Sequence, residues 1–286
     1  MRDTANYKGK RKRLNNIFDV GGKTVLVPLD DNLISGPCTG VNNWKEKLHQ
    51  IELAHPSAVL AYPGTLFQME DSSISQILNL TASTIRRSHT NKILVNSLEF
   101  ALKMDADAVA VHVNISSKHE SEMLEILGRV SEKCDEYGMP LLAIVYPRSE
   151  VMREGGGIFD NDYQQLKIED NEKYTELVSH CVRIAFEMGA DIIKTQYTGN
   201  KESFKKVIQS ANGCPVIIAG GGIVNIETLY MMVDDAMAVG ASGVSIGRNV
   251  FGRYDSASTI ASIKDIVFNR KSAERVIEEC INEGKG

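Results

Sequence analysis

Short runs of apolar residues recur along the chain and alternate with stretches of helical spacing. The runs are rich in Val, Ile, Leu and Ala and lack polar alternation, which is typical of strands buried on both faces of a sheet. The pattern therefore predicts eight strands, at residues 24–29, 57–61, 92–95, 108–111, 141–145, 191–193, 215–219 and 243–246.

Amphipathic stretches separate several of these strands and predict helices. In one stretch Met123, Leu127 and Val130 fall on a single face at the helical period. A glycine follows three of the stretches at the position where a helix C-cap is expected. The four clearest helices are predicted at residues 120–137, 174–188, 226–239 and 256–268, and the glycines are Gly138, Gly189 and Gly240.

Eight β/α units in a chain of 286 residues predict an α/β fold, the (β/α)8 TIM barrel. A doubly wound parallel sheet is the alternative, but the early Gly-x-Gly-x-x-Gly that it usually carries is absent. No Pro/Ser-rich linker divides the chain, so we expect an N-terminal helical extension at residues 1–22 and a single barrel domain at 23–286. The longest interruption, 147–171, contains a Gly-Gly-Gly run, and both a mobile lid and an inert surface loop stay open there.

Charge and composition argue against several classes of partner. The net charge of −5 disfavours a general nucleic-acid binder, and the basic run at residues 8–13 is expected to be a solvated segment leading into a helix rather than a nucleic-acid arm. No apolar run approaches the roughly 18 residues that cross a bilayer, and the polar N-terminus does not resemble a secretory signal. Five scattered cysteines without a Cys-x-x-Cys pair indicate reduced thiols, so we expect a cytoplasmic protein. The six histidines show no metal-ligand spacing, so no metal is expected.

One lysine stands directly after a predicted buried strand. Burial at such a position lowers the pKa of a lysine and frees its amine as a nucleophile, as Schiff-base chemistry requires, and Lys194 is the residue concerned. Asp30 and Tyr146 end the first and fifth strands, so a barrel brings them to the same rim, where they can transfer the protons that this chemistry needs. The alternatives are a lysine that reaches solvent, a carboxylate that caps a turn and an aromatic residue with a solvated hydroxyl.

Two glycine-containing segments at the ends of the seventh and eighth strands predict a phosphate site. The backbone N–H groups of Gly220, Gly221, Gly222 and Gly247 can approach a phosphate closely, and Arg248 can add a charged contact. Barrels often hold phosphate in these two loops. We therefore expect a phosphorylated small-molecule substrate, with a flexible turn as the alternative for the glycine run.

Three further polar residues stand at strand ends, and each has two interpretations. His112 lines the substrate pocket or supports the residues that do. Arg148 binds a substrate carboxylate or phosphate, or it pairs with Glu150 at the rim. Asp31 forms a like-charge pair with Asp30 that raises the pKa of one carboxyl, or it points into solvent.

Taken together, these motifs resemble the archaeal-type class I aldolase family. The resemblance implies a TIM barrel that forms a Schiff base with a keto-sugar phosphate and needs no cofactor. It implies that Lys194 is the Schiff-base lysine, that Tyr146 donates or accepts a proton, and that Asp30 assists. It also implies a homo-oligomer, a pentamer or a decamer. The resemblance covers roughly residues 10–270 and rests on Pro28-Leu29-Asp30, Tyr146-Pro147-Arg148, the Lys194 segment, Gly220–Gly222 and Gly247-Arg248-Asn249.

Within this family, the segment containing His112 and Asn114 is more similar to the 2-amino-3,7-dideoxy-D-threo-hept-6-ulosonate synthases and the aminohydroxybenzoate-pathway aldolases than to sugar-bisphosphate aldolases. The similarity implies an aldolase or transaldolase that joins a dihydroxyacetone-phosphate-like donor to aspartate semialdehyde, in aromatic amino acid or aminohydroxybenzoate biosynthesis. Fructose-bisphosphate aldolase, thiolase-like acyl transfer on a phosphorylated diketone, and a non-catalytic phosphosugar-binding barrel are the alternatives. Family members usually carry a histidine after Pro-Leu-Asp, whereas this chain has Asp31-Asn32, and the extra carboxylate is expected to favour an amino-aldehyde.

Overall fold

Eight parallel strands close into a barrel, which confirms the predicted fold class. The computed structural model describes residues 8–36, 43–86, 89–152 and 158–282. The barrel follows the order β1-β12-β11-β10-β7-β6-β3-β2, and β2 pairs with β1 to close it. The strands of the described residues are β1 (Thr24–Pro28), β2 (Ala58–Ala61), β3 (Ser75–Asn79), β4 (Thr81–Ala82), β5 (Ile93–Leu94), β6 (Ala108–Ile115), β7 (Leu141–Pro147), β8 (Ser149–Met152), β9 (Ile158–Asn161), β10 (Ile192–Gln196), β11 (Val216–Ala219) and β12 (Gly243–Ser245).

Helices connect the barrel strands and cover the outside of the barrel. One of them, at 120–137, has the predicted bounds, and Gly138 ends it in the left-handed conformation with a φ of 62°. None of the helices in the described ranges is long and apolar enough to cross a membrane. They are α1 (Lys8–Ile17), α2 (Asp31–Ser35), α3 (Trp44–Ala54), α4 (Pro63–Leu66), α5 (Leu98–Lys103), α6 (Glu120–Tyr137), α7 (Gln164–Glu169), α8 (Asn171–Glu187), α9 (Lys201–Ser210), α10 (Ile226–Ala238), α11 (Arg248–Phe251), α12 (Ser256–Val267) and α13 (Ala273–Asn282).

The strand side chains alternate between two apolar cores. Because successive residues of a strand point to opposite faces, every second residue points into the barrel interior and the others face the helices. In β10, for example, Ile192 belongs to the interior core and Ile193 to the outer one. The interior is filled by Leu26, Ala58, Leu60, Ile77, Ala108, Ala110, Leu142, Ile144, Ile192 and Ile217.

Helix α1 lies at the N-terminal end of the barrel, where Ile17 and Phe18 belong to the interior core. Lys10 is buried there and forms ion pairs with Asp135 at 2.5 Å and with Asp191 at 2.9 Å. The prediction that the basic run is a solvated segment is therefore wrong for Lys10, because the ion pairs with these two carboxylates compensate its charge in a buried position.

The third barrel strand is not where the sequence pattern predicts it. The predicted segment, 92–95, contains β5, which is exposed and pairs with only the two residues of β4. The barrel strand is β3, which pairs with β2 on one side and β6 on the other. Its polar residues Ser75, Gln76 and Asn79 break the continuous apolar run that a strand buried on both faces usually shows.

The long interruption after β7 contains ordered elements. Strands β8 and β9 pair as an antiparallel hairpin, and helix α7 follows them. The Gly-Gly-Gly run at 155–157 lies outside the described residues, so the choice between a lid and an inert loop stays a prediction.

Candidate active site

The amine of Lys194 points into the barrel interior. Lys194 lies two residues after Ile192, so both side chains point to the same face of the strand. The sequence pattern predicts that Lys194 follows the strand, whereas in the structure it is the middle residue of β10. Its side chain is 6% exposed, and its nitrogen makes no hydrogen bond within the described part of the chain. Burial lowers the pKa of Lys194, and the charges of Asp30 and Asp31 oppose part of that change. The result is a buried amine with an increased neutral fraction.

Asp30 follows β1 on the same barrel face and is buried beside the barrel interior. The amide of Asn79, the last residue of β3, donates a hydrogen bond of 2.8 Å from Nδ2 to Oδ2 of Asp30. Burial raises the pKa of Asp30, while the charge of Lys194 and the Asn79 hydrogen bond offset part of the rise. Asn79 is a site residue that the sequence pattern does not indicate, because its segment was not predicted to be a barrel strand.

Tyr146 and His112 contact each other across neighbouring strands. Their rings lie edge to face with centroids 5.0 Å apart. Nε2 of His112 lies 3.1 Å from Oδ1 of Asn114, and burial holds the pKa of His112 well below its usual range. Burial also raises the pKa of Tyr146, with Asp30 adding to the effect. Both rings are therefore neutral near pH 7, and Tyr146 is a phenol that can donate a proton.

The two glycine segments meet at the barrel mouth, by which we mean the C-terminal ends of the eight barrel strands and the loops after them. Asn249 is fully buried and joins the two segments: its Nδ2 donates to the carbonyl oxygens of Gly220 at 3.0 Å and Gly222 at 2.8 Å. Its Oδ1 accepts from the backbone N–H of Val224 at 3.0 Å. Asn249 belongs to the sequence motif Gly247-Arg248-Asn249, but only the structure shows that its side chain holds the other glycine segment in place.

Two of these glycines have backbone positions that a larger residue would disturb. Gly221 adopts a φ of 65°, in the left-handed region that favours glycine. A Cβ on Gly247 would lie 2.6 Å from the carbonyl oxygen of Pro28. Gly247 therefore lets the backbone of the loop after β12 approach the end of β1, near Asp30.

Arg248 and Asp31 face each other at the barrel mouth. Nε of Arg248 lies 4.0 Å from Oδ2 of Asp31, and the Arg248 side chain is about half exposed. Asp31 also accepts a hydrogen bond of 3.5 Å from Ser35. Asp31 therefore lies between the predicted phosphate segment and the carboxylate Asp30, and it does not point away from the site.

Arg148 does not pair with Glu150, so that interpretation is wrong. Glu150 instead accepts hydrogen bonds from Thr90, from Ser117 at 3.0 Å and from the backbone N–H of Lys118 at 3.0 Å. Nε and Nη1 of Arg148 are buried and have no hydrogen-bond partner among the described residues. Arg148 thus keeps donor capacity at the barrel mouth.

A second buried lysine, Lys92, lies at the barrel mouth, and the sequence pattern assigns it no function. Its Nζ donates to Oγ of Ser83 at 2.7 Å and lies 3.3 Å from Nδ1 of His89. Burial and the charge of Arg148 lower the pKa of Lys92 to about 7. Lys92 shares with Lys194 the feature that could have indicated it, because each lysine adjoins an apolar run. Lys92 comes before its run, however, and the sequence pattern includes it in the strand predicted at 92–95.

The described ranges contain no cluster of three or more His, Cys, Asp or Glu side chains able to hold a metal ion. Schiff-base chemistry on a lysine needs no cofactor. The arrangement therefore offers an amine, a carboxyl and a phenol around one opening, together with the basic side chains of Arg148, Arg248 and Lys92.

Comparisons with known proteins agree with this chemistry. The chain is 34% identical over 274 residues to 2-amino-3,7-dideoxy-D-threo-hept-6-ulosonate synthase 1 of Archaeoglobus fulgidus, covering 94% of this chain and 95% of that protein. It is 33% identical over 249 residues to 2-amino-4,5-dihydroxy-6-oxo-7-(phosphonooxy)heptanoate synthase of Streptomyces griseus, covering 85% and 84%. An archaeal fructose-1,6-bisphosphate aldolase, solved with its catalytic Lys covalently bound to the carbinolamine intermediate, superposes with a TM-score of 0.76 at 25% identity, covering 90% of this chain and 99% of that one.

The family assignment follows from these matches together with a family profile. The profile of the DeoC/LacD family aldolases matches residues 24–253, which include every barrel strand and the predicted site residues. The predictions of an aldolase and of this family are confirmed. The chain belongs to the DeoC/LacD aldolase family.

Proposed function

We propose that this protein is a Schiff-base aldolase that joins a dihydroxyacetone-phosphate-like donor to aspartate semialdehyde. The observation that carries the proposal is the inward-facing Lys194, buried, without a hydrogen bond to its amine in the described part of the chain, and electrostatically coupled to Asp30. The same residue also supports the weaker statement that the reaction proceeds through a covalent imine and needs no cofactor.

The site residues have separate parts in this reaction. The neutral amine of Lys194 attacks the donor carbonyl carbon, and the carbinolamine oxygen leaves as water after protonation by the phenol of Tyr146. Asp30, whose pKa is raised by burial, removes the proton from the donor carbon next to the imine, which gives an enamine. The enamine carbon then adds to the carbonyl carbon of the acceptor aldehyde, whose oxygen takes the proton that Asp30 holds. Water adds to the imine carbon and releases the product and the neutral amine, and the proton set free returns to Tyr146. The phosphate of the donor binds at Gly220–Gly222, Gly247 and Arg248.

The acceptor is proposed from the names of the relatives. The Streptomyces griseus relative is named for a seven-carbon acid with a 2-amino group, a 6-oxo group and a phosphate on carbon 7. Breaking the bond between carbons 4 and 5 of such an acid leaves aspartate semialdehyde and dihydroxyacetone phosphate. A pathway of aromatic amino acid or aminohydroxybenzoate type is the context that these names support.

Fructose-bisphosphate aldolase is the second candidate. It is supported by the TM-score of 0.76 to an archaeal enzyme of that activity, at a lower identity of 25%. Turnover with aspartate semialdehyde and with glyceraldehyde 3-phosphate separates the two. Faster turnover of the sugar phosphate would exclude the aspartate semialdehyde assignment.

Trapping with borohydride tests the nucleophile. Incubation with dihydroxyacetone phosphate and borohydride should give one stable adduct, mapped to Lys194 by peptide mass, and Lys194→Ala should remove both the adduct and turnover. Lys47→Met is the matched control, because Lys47 is also buried and its pKa is also lowered by burial, but its nitrogen donates to the carbonyl of Tyr254 at 3.0 Å. Turnover near the parent level in Lys194→Ala would refute the mechanism.

The support for a homo-oligomer, a pentamer or a decamer, is the family resemblance alone, and the support for a cytoplasmic location is the scattered cysteines. Sedimentation of the purified protein tests it, and a monomer at assay concentration would contradict it.

A further inference from the structure

The circular order of the strands places the glycine segments and a second group of side chains on different sides of Lys194. The predicted phosphate segments follow β11 and β12, and β10, which carries Lys194, pairs with β11. Arg148 follows β7, which pairs with β10 on the side away from β11. The loop after β3 carries Lys92, and β3 lies four strands from β11 around the closed barrel. Arg148 therefore stands beyond Lys194 from the glycine segments, and Lys92 stands across the opening from them; we call these two residues the basic side.

The basic side holds two buried cationic groups near each other. The charge of Arg148 lowers the pKa of Lys92, and burial lowers the pKa of both. His89, which lies next to the Lys92 nitrogen, has its pKa lowered to about 2 and contributes no charge. Within the described ranges, no carboxylate oxygen lies within 4.0 Å of a side-chain nitrogen of Lys92 or Arg148, since neither residue forms an ion pair.

Arg148 has donors that the protein does not use. Nε and Nη1 are buried without a hydrogen-bond partner among the described residues, and Asp160 and Asp162 act on the pKa of Arg148 only through longer-range charge interactions. A buried guanidinium with unpaired N–H groups is unfavourable. A carboxylate that accepts two hydrogen bonds from one edge of the guanidinium would remove part of that cost, because the planar guanidinium matches the geometry of a carboxylate.

We propose that Arg148 binds the carboxylate of the acceptor aldehyde, with Lys92 acting as a second positive charge behind it. The inference rests on the proposed function, because it takes the donor phosphate to bind at the glycine segments, on the other side of Lys194 from Arg148. A donor held there extends past Lys194 toward the basic side, so the far end of the acceptor reaches Arg148. The substrate class is then an aldehyde with a carboxylate at the end opposite to the reacting carbon. Lys92 is almost fully buried, at 1% exposure, so it acts through its charge rather than by contact.

Acceptors of different charge test this assignment. With dihydroxyacetone phosphate as donor, the KM of each acceptor is measured for aspartate semialdehyde, succinic semialdehyde, butanal and glyceraldehyde 3-phosphate. Arg148→Gln should raise the KM of the two carboxylated aldehydes by about 10- to 100-fold, the range for a lost hydrogen bond to a charged group, and leave butanal within about twofold. Lys92→Gln should raise the same two values by a smaller factor of about 3 to 10 and also spare butanal. Arg129→Gln is the control, because Arg129 is exposed and pairs with Glu125 on α6.

Each alternative outcome overturns the inference in a recognisable way. An equal change for all acceptors means that Arg148 has only a structural role. A larger change for glyceraldehyde 3-phosphate than for the carboxylated aldehydes means a phosphate site instead. If Arg148→Gln fails to fold, the unmodified enzyme gives the answer: butyrate should compete with the acceptor and butyramide should not, and equal inhibition by the two overturns the assignment. Borohydride trapping with the donor alone separates this failure from a failure of the proposed function, because it requires Lys194 and no acceptor.

Discussion

Replacement of Asn249 should separate phosphate binding from the rest of the chemistry. Asn249 is fully buried and makes three hydrogen bonds of 3.0 Å or shorter to the loop after β11, two donated from Nδ2 to Gly220 and Gly222 and one accepted by Oδ1 from Val224. Asn249→Leu keeps a similar volume and removes all three. At about 1 kcal/mol for each neutral hydrogen bond, the free energy of unfolding should fall by about 3 kcal/mol. A change of that size lowers the Tm by roughly 5 °C in a domain of this length.

The functional effect should depend on the phosphate of the donor. Without Asn249 the carbonyls of Gly220 and Gly222 turn toward water, and the backbone N–H groups of that loop lose their fixed position. We expect the KM of dihydroxyacetone phosphate to rise by about tenfold, which corresponds to about 1.4 kcal/mol, while dihydroxyacetone without phosphate is unaffected. The measurement is the donor concentration dependence of borohydride trapping at Lys194, with the Tm measured in parallel.

Asn200→Ala is the matched control for stability. Asn200 caps α9, where its side chain accepts from the backbone N–H of Ser203 at 2.9 Å, so its loss should cost about 1 kcal/mol and leave the KM of both donors unchanged. If Asn249→Leu lowers the Tm but changes the KM of the two donors equally, the glycine segments do not bind the phosphate, and the assignment of that site is refuted.

Two further predictions concern the charges around the barrel interior. The charge of Asp31 raises the pKa of Lys194. Because only the neutral amine attacks, Asp31→Asn should move the acid limb of the pH profile of borohydride trapping to lower pH by roughly half a unit. Asp160→Asn is the control and should not move it. A limb that stays or moves to higher pH would contradict the reasoning. Lys10→Met leaves the buried Asp191 without its ion pair and should lower the free energy of unfolding in urea by about 3 kcal/mol. Adding Asp191→Asn should recover at least half of that loss, and a double variant as unstable as the single one would count against the pairing.

The sequence pattern predicts most of the barrel because the barrel strands are buried on both faces. It also predicts Asp30, Tyr146 and Lys194 as site residues, because a polar side chain after or within an apolar run contrasts with its surroundings, and the structure places all three on the interior face. The strands extend further than the apolar runs, as in β6, where His112 and Asn114 continue the interior face beyond Ala110. Polar residues at these positions therefore mark the barrel mouth rather than the ends of the strands.

What the pattern misses is set by contacts between distant segments. Asn79 ends β3 and is polar because it donates to Asp30, 49 positions away in the sequence. That polarity hides the strand, and the sequence pattern instead predicts the third strand at the neighbouring apolar run, which contains β5. Asn249 and Lys92 have the same character, because their roles depend on carbonyl oxygens and side chains that come close only after the barrel has closed.

Two lysines at the barrel mouth have lowered pKa values, so acidity alone does not identify the nucleophile. Attack on a carbonyl needs a free lone pair and room for the carbonyl carbon to approach. The amine of Lys92 donates to Ser83, lies against His89 and is 1% exposed, so no carbonyl carbon can reach it without breaking these contacts. The amine of Lys194 has no such hydrogen bond in the described part of the chain, and it shares the interior face with Asp30 and Tyr146. The geometry therefore supports the proposal that Lys194 performs the covalent step and that Lys92 acts through its charge, and an adduct mapped to Lys92 would refute both proposals.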